Sequence, residues 1–193
     1  GLGDVYKRQR IGGAPVNGYQ PAGIWEAATF GKKRYSQDRG EKLYRRSLYT
    51  TIRKTVAPPD LVLFDMPSRE VCTVKRARTN TPLQALSLLN NVTYVEASRK
   101  FAERILKSGA APDEQIDWAF RQATLRRPTR NEKALLVRGF ARRLKVFRAS
   151  LGRAAELLKQ GETPTSEEFD KAELAAMTTV AGVLLNLDEV INK

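Results

Sequence analysis

The chain has 193 residues, 41% of them hydrophobic, a formal net charge of +13 and no histidine. That length suffices for one domain with a sizeable core; the missing imidazole excludes Ser-His-Asp and Cys-His catalysis within these residues, and a single cysteine, Cys72, excludes an internal disulfide, a CxxCH haem attachment and a zinc site. The charge invites a nucleic-acid partner, but its distribution disfavours one, since residues 1–80 carry 16 Lys and Arg against 7 Asp and Glu while residues 81–193 carry 18 against 14.

In chain order, residues 1–10 read as a translated sequencing adaptor at the end of a metagenomic reading frame. They are kept out of fold reasoning, with the true N-terminus expected to be missing. From Ile11 to Thr81, glycines and prolines such as Gly12-Gly13, Pro21, Gly23, Pro58-Pro59 and Pro67 punctuate short apolar pieces, which predicts loops. Leu43 to Lys54 fits a helix or a strand equally well. The aromatics Tyr19, Trp25, Tyr35, Tyr44, Tyr49 and Phe64 argue against disorder.

From Thr81 the grammar is helical. Thr81-Pro82-Leu83-Gln84 is a capping box with proline at the first helical position, and it predicts a short helix to about Asn90. A second helix spans Val92 to Lys107, and a third opens at Pro112 and stops before Pro128. Thr129 to Glu132 repeats the capping box, and the spacing of Leu135, Leu136, Phe140, Leu144, Phe147, Leu151, Ala154 and Leu158 predicts one long helix towards Gly161. Thr165-Ser166-Glu167-Glu168 is expected to open the last helix. The fold class is therefore mainly α: a single domain over 11–193, with a bundle of about five helices over 81–193 and a loop-rich layer, 11–80, packed on it. No apolar run reaches the roughly 18 residues of a membrane span.

Five motifs stand in order along the chain. They are Tyr19 to Glu26 (YQPAGIWE), Tyr44 to Tyr49 (YRRSLY), Phe64 to Cys72 (FDMPSREVC), Arg78 to Leu86 (RTNTPLQAL) and Leu184 to Glu189 (LLNLDE). Together they resemble the C-terminal part of the planctomycete-type domain of unknown function that follows a cytochrome c domain and a second planctomycete-specific domain in large exported proteins. The resemblance covers residues 11–193. It implies an exported, periplasmic or cell-surface parent whose upstream domains are this chain's partners and carry haem c, with no cofactor in the chain itself.

The polar segment between Tyr44 and Asn91 supplies the candidate ligand-binding residues Arg45, Arg46, Asp65, Arg69, Glu70, Arg78 and Asn80, with Arg76 among them. Guanidinium forks beside carboxylates and an amide suit a carboxylate, a sulfate or the hydroxyls of a polysaccharide. The plainer reading, and the preferred one, is a network that pins loops by satisfying backbone groups. Asp65 with Glu70, or Asp188 with Glu189, could serve as a glycosidase carboxylate pair, which needs a defined separation that sequence does not reveal. Trp25 and Tyr19 are sugar-stacking platforms or core, with core favoured. Cys72 is expected to be a buried small hydrophobe. The cations from Arg138 through Arg142, Arg143, Lys145 and Arg148 are read as a solvated helix face.

Overall fold

The computed structural model describes residues 8–53, 55–109 and 111–191, and it is mainly helical, with no strand among the described residues. The chain divides into two compact units, with the division between Gln84 and Ala85.

The N-terminal unit holds α1 (Ile24–Ala28), two 3-10 turns (Gly40–Tyr44 and Ser47–Tyr49) and α2 (Pro59–Leu63). The segment that fitted helix or strand equally is neither in its described residues: Arg45 and Arg46 are extended and separate the two turns, and Thr50 forms an isolated parallel bridge with Val16. Lys54 lies outside the described residues. Among the described residues, the buried apolar side chains here are few, namely Val16, Trp25, Leu43, Val56 and Pro58. Polar contacts make up the difference. The Trp25 indole donates to Gln20 Oε1 at 3.0 Å, lies 5.1 Å from the Tyr35 ring and carries the Arg53 guanidinium at 4.5 Å. With its ring so engaged and only 7% exposed, Trp25 is core and not a free stacking platform. The Tyr35 hydroxyl donates to Gly18 O at 2.6 Å, and burial, reinforced by the nearby Asp38 charge, pushes its pKa up to about 12. Asp38 is held below the usual carboxylate range, first by the Asn17 N–H at 2.8 Å and then by Lys42.

Several of the helices that follow begin where a side chain satisfies a first-turn N–H group, or where a proline removes one. In α3 (Pro82–Asn90) the Thr81 N–H donates to Gln84 Oε1 at 2.9 Å while Gln84 N donates back to Thr81 Oγ1 at 3.2 Å. Asn91 caps α4 (Val92–Lys107), and Pro112 opens α5 (Pro112–Thr124). A full capping box between Thr129 and Glu132 starts α6 (Arg130–Ala149). At the end of α5, Leu125 adopts the left-handed region at φ 64° although its side chain stays exposed.

Two expectations fail here. The long helix breaks at Ser150, whose φ of −145° ends α6 and lets α7 (Leu151–Leu158) turn. The break exposes Leu151 and buries Ala154 and Leu158, a partition that one straight helix would not make. The last helix, α8 (Lys171–Leu185), is capped by Asp170 and does not begin at Thr165. The Thr165 hydroxyl is already used, accepting from Arg99 Nη1 at 2.9 Å and donating to Leu158 O at 3.0 Å, so it cannot cap. A short turn, α9 (Asp188–Ile191), follows.

In the C-terminal unit α8 is buried almost all round, and α4, α6 and α7 pack against it. A helix apolar on nearly every side has little solvent face to present and becomes the centre of its bundle. Burial of Leu174, Met177 and Leu184 contributes about 1.5–3 kcal/mol each.

Candidate functional site

Arg45 and Asp65 are the two candidate residues that the fold uses most visibly, and it uses both as braces. Arg45 follows a 3-10 turn in extended conformation, which directs its guanidinium back to the start of the described chain. Nη2 donates to Gly12 O at 2.6 Å and to Arg10 O at 3.4 Å, and the group lies 3.9 Å from the Tyr49 ring centre. The Tyr49 hydroxyl in turn accepts from Gly12 N at 2.8 Å, so one arginine and one tyrosine hold both sides of the same peptide stretch.

Asp65 owes its place to the backbone. Helix α2 ends in a Schellman motif, in which Met66 N–H donates to Leu61 O at 2.9 Å and Asp65 N–H to Val62 O at 3.1 Å. This requires the left-handed region, and Asp65 has φ 60°. Aspartate tolerates that conformation better than most residues. Its carboxylate then accepts from Thr79 N at 2.8 Å and from Thr79 Oγ1 at 2.9 Å. Thr79 Oγ1 accepts from Gln84 Nε2 at 2.9 Å, and the same Nε2 reaches Leu63 O at 2.8 Å. Gln84 is buried, so α2, the Thr79 strand of loop and the first turn of α3 are tied at one amide.

The remaining candidates are exposed. Arg46, Arg69, Glu70, Arg76, Arg78 and Asn80 all face solvent, as does every residue from 68 to 80, and Arg69 holds a left-handed backbone at φ 64°. Cys72 lies in this stretch and is exposed, contrary to its expected burial: it has no periodic apolar neighbours with which to share a buried face. The bonds described draw Arg45 towards Gly12 and Asp65 towards Thr79, which are two different braces. At the other end of the chain, Glu189 is held by Arg126 Nε and Nη2 at 2.9 and 2.6 Å, and the same arginine grips Glu132. Glu132 is thereby pushed down to about 2, first by Arg126 and then by the Thr129 N–H and hydroxyl.

One arrangement was not read from the sequence. Glu96 and Arg99 on α4 are 0% and 1% exposed, with Glu96 Oε1 3.7 Å from Arg99 Nη2. Neither carries a free charge inside: Glu96 accepts from Thr163 N at 2.6 Å, and Arg99 Nη2 donates to Thr163 O at 2.7 Å. Lys100 adds a bond to Pro164 O at 2.8 Å. Together they fasten the loop between α7 and α8 onto α4. Gly161 makes this possible, since it has φ +86° and a Cβ there would run into the Glu96 carboxylate. The fastened loop forms one wall of a cavity of about 520 Å³ lined by Leu158, Lys159, Phe169 and Lys171. A signal was present: Arg99 stands four residues after Val95 and three before Ala102, on the apolar face of its helix.

A largely helical protein of two units, whose motif residues brace loops, is the class defined so far. A family model described as PSD1, protein of unknown function (DUF1553), matches residues 5–140, and the chain belongs to that family, a planctomycete-type domain of unknown function. The match begins inside the segment read as an adaptor and ends at Phe140, within α6. No curated protein and no solved structure matches. No described helix is long and apolar enough to cross a membrane, and no group of three or more Cys, Asp or Glu able to hold a metal occurs among the described residues.

Proposed function

We propose that this chain is a non-catalytic domain, placed towards the C-terminus of an exported multidomain protein whose redox chemistry sits on an upstream cytochrome c domain. The observation that carries the first part is the commitment of Arg45 and Asp65 to backbone and threonine partners within 2.6–2.9 Å. Groups so used hold loops in place, each turned onto a different stretch of the chain's own backbone. The family membership, together with the motif order, supports the parent architecture. The test is purification of the complete gene product from an exporting host. A haem c absorption spectrum and delivery to the periplasm or cell surface are expected; a haem-free parent, or turnover of polysaccharide by the 193-residue chain alone, overturns the proposal.

A second reading, recognition of an anionic or sulfated glycan, is favoured by the exposed side chains of Arg46, Arg69 and Arg78. Affinity electrophoresis in sulfated polysaccharide would retard the wild type and release Arg46→Ala and the Arg69→Ala/Arg78→Ala pair. Unretarded wild type removes this reading.

A further inference from the structure

A groove of about 300 Å³ runs between α6 and α8. Leu135, Leu136, Val180 and Val183 line it, and Arg142 and Arg143 stand along its rim. On α6 the lining positions 135, 136, 139, 142 and 143 share one face, and on α8 so do 179, 180 and 183, so the groove is the seam where two packed helices diverge. Its apolar residues are not all core. Leu135 is 64% and Val183 43% exposed, beside Leu136 and Val180, which are buried. A seam of this kind receives the apolar stripe of a third helix in the way one helix docks into a hydrophobic groove. Gly139 leaves room on its floor, because a Cβ there meets nothing within 4 Å.

The charge around the groove selects the occupant. Helix α6 carries Arg130, Lys133, Arg138, Arg142, Arg143, Lys145 and Arg148 against a single carboxylate, Glu132, which Arg126 already neutralises. Lys133 faces Asp113 and Asp117, whereas Arg142 and Arg143 are exposed and have no ion pair among the described residues. Two unpaired guanidinium forks beside an apolar seam match carboxylates placed next to apolar anchors. The concave form suits protruding side chains better than the flat surface of a bilayer. We propose that the α6–α8 groove docks an acidic amphipathic helix of a partner protein, with its apolar side chains over Gly139 and its carboxylates on Arg142 and Arg143.

The test uses the whole chain and a fluorescein-labelled designed helix of about 18 residues, five turns long, with leucines at i, i+3, i+4 and i+7 and glutamates beside them. A second peptide keeps the leucines and replaces every glutamate by lysine. Fluorescence anisotropy should give saturable binding of the acidic peptide that weakens with salt, and at least about tenfold weaker binding of the lysine peptide. Val183→Asp and Arg142→Glu/Arg143→Glu should each weaken the acidic peptide by about tenfold or more. Gly139→Leu should abolish binding while leaving the melting temperature unchanged or higher, because leucine is the better helix former and the space is open. Lys32→Glu/Lys33→Glu changes the net charge by the same amount at exposed sites elsewhere, and it should stay within about twofold of wild type.

Equal losses in the Lys32/Lys33 and Arg142/Arg143 pairs would mean that net charge alone binds the peptide, and the proposal falls. It falls as well if Gly139→Leu binds like wild type, or if no acidic peptide binds. Co-sedimentation with phosphatidylcholine–phosphatidylglycerol vesicles that Val183→Asp removes, without peptide binding, would assign the groove to a membrane instead. Concentration-dependent dimers that the same variant dissociates would assign it to a second copy of the chain.

Discussion

The two units reach order by different routes. In the C-terminal unit, long helices bury a continuous apolar surface around α8, and polar groups enter only where they must, as in the Glu96–Arg99 clamp. In the N-terminal unit, the few buried apolar side chains among the described residues are supplemented by Arg45, Asp38, Asp65 and Gln84, each joining segments that no helix or sheet joins. Apolar burial is non-directional and scales with area, whereas a hydrogen bond specifies a partner and contributes a net of only about 1 kcal/mol. The contrast teaches that charged residues gathered in a loop-rich segment can be its framework rather than its active site.

The largest effect expected from breaking this contrast lies in the helical unit. Glu96→Ala removes the nearer carboxylate from buried Arg99, leaving Glu103 at 3.9 Å, and strips the Thr163 N–H of its acceptor, so it should destabilise by about 3–5 kcal/mol in denaturant titration. Gly161→Ala adds a left-handed strain and a clash with the same carboxylate, so it should approach that loss, with early protease cleavage in the loop between α7 and α8. Unchanged stability in both would show that the clamp is dispensable. A smaller loss tests the N-terminal unit. Asp65→Ala removes charged hydrogen bonds to Thr79 and places alanine at φ 60°, for about 2–3 kcal/mol, whereas Asp65→Gly should recover about 1 kcal/mol of that. Equal melting curves for the two variants would refute the left-handed cap.

Smaller still and opposite in sign is Leu125→Gly. It relieves a left-handed leucine whose side chain is exposed, and it should stabilise the chain by about 1 kcal/mol, read by chemical denaturation. The smallest effect concerns acid. Glu132 is held down at about 2 from an ordinary value of 4.5, so its contribution is complete above 4.5 and disappears as pH falls towards 2. Glu132→Gln should flatten that part of the stability curve, modestly because the Arg126 pair is exposed to solvent.

The starts of α3, α5 and α6 were legible because their signals are local: Thr81, Pro112 and Thr129 act within three residues of themselves, whereas α4 was read from its apolar spacing and not from its Asn91 cap. The same grammar misled at Thr165, where a residue 66 positions away, Arg99, claims the hydroxyl. In the candidate site, the partners of Arg45 and Asp65, Gly12 and Thr79, were not visible, since nothing in a sequence pairs a side chain with a distant carbonyl or N–H. Cys72 shows the converse, an intrinsic preference for burial overridden where no packed surface exists.

By itself, then, the sequence determined the helical class, the family, the loop-rich character of the first part and the caps, all of which depend on periodicity or on contacts a few residues apart. Only the tertiary structure decided that Glu96 and Arg99 are interior, that the long apolar stripe breaks at Ser150, and that the solvated face carrying Arg142 and Arg143 borders an apolar seam. Those outcomes depend on which helix lies alongside which, and the free energy of burying a charge or a leucine is set by that neighbour and not by the residues next to it in the chain.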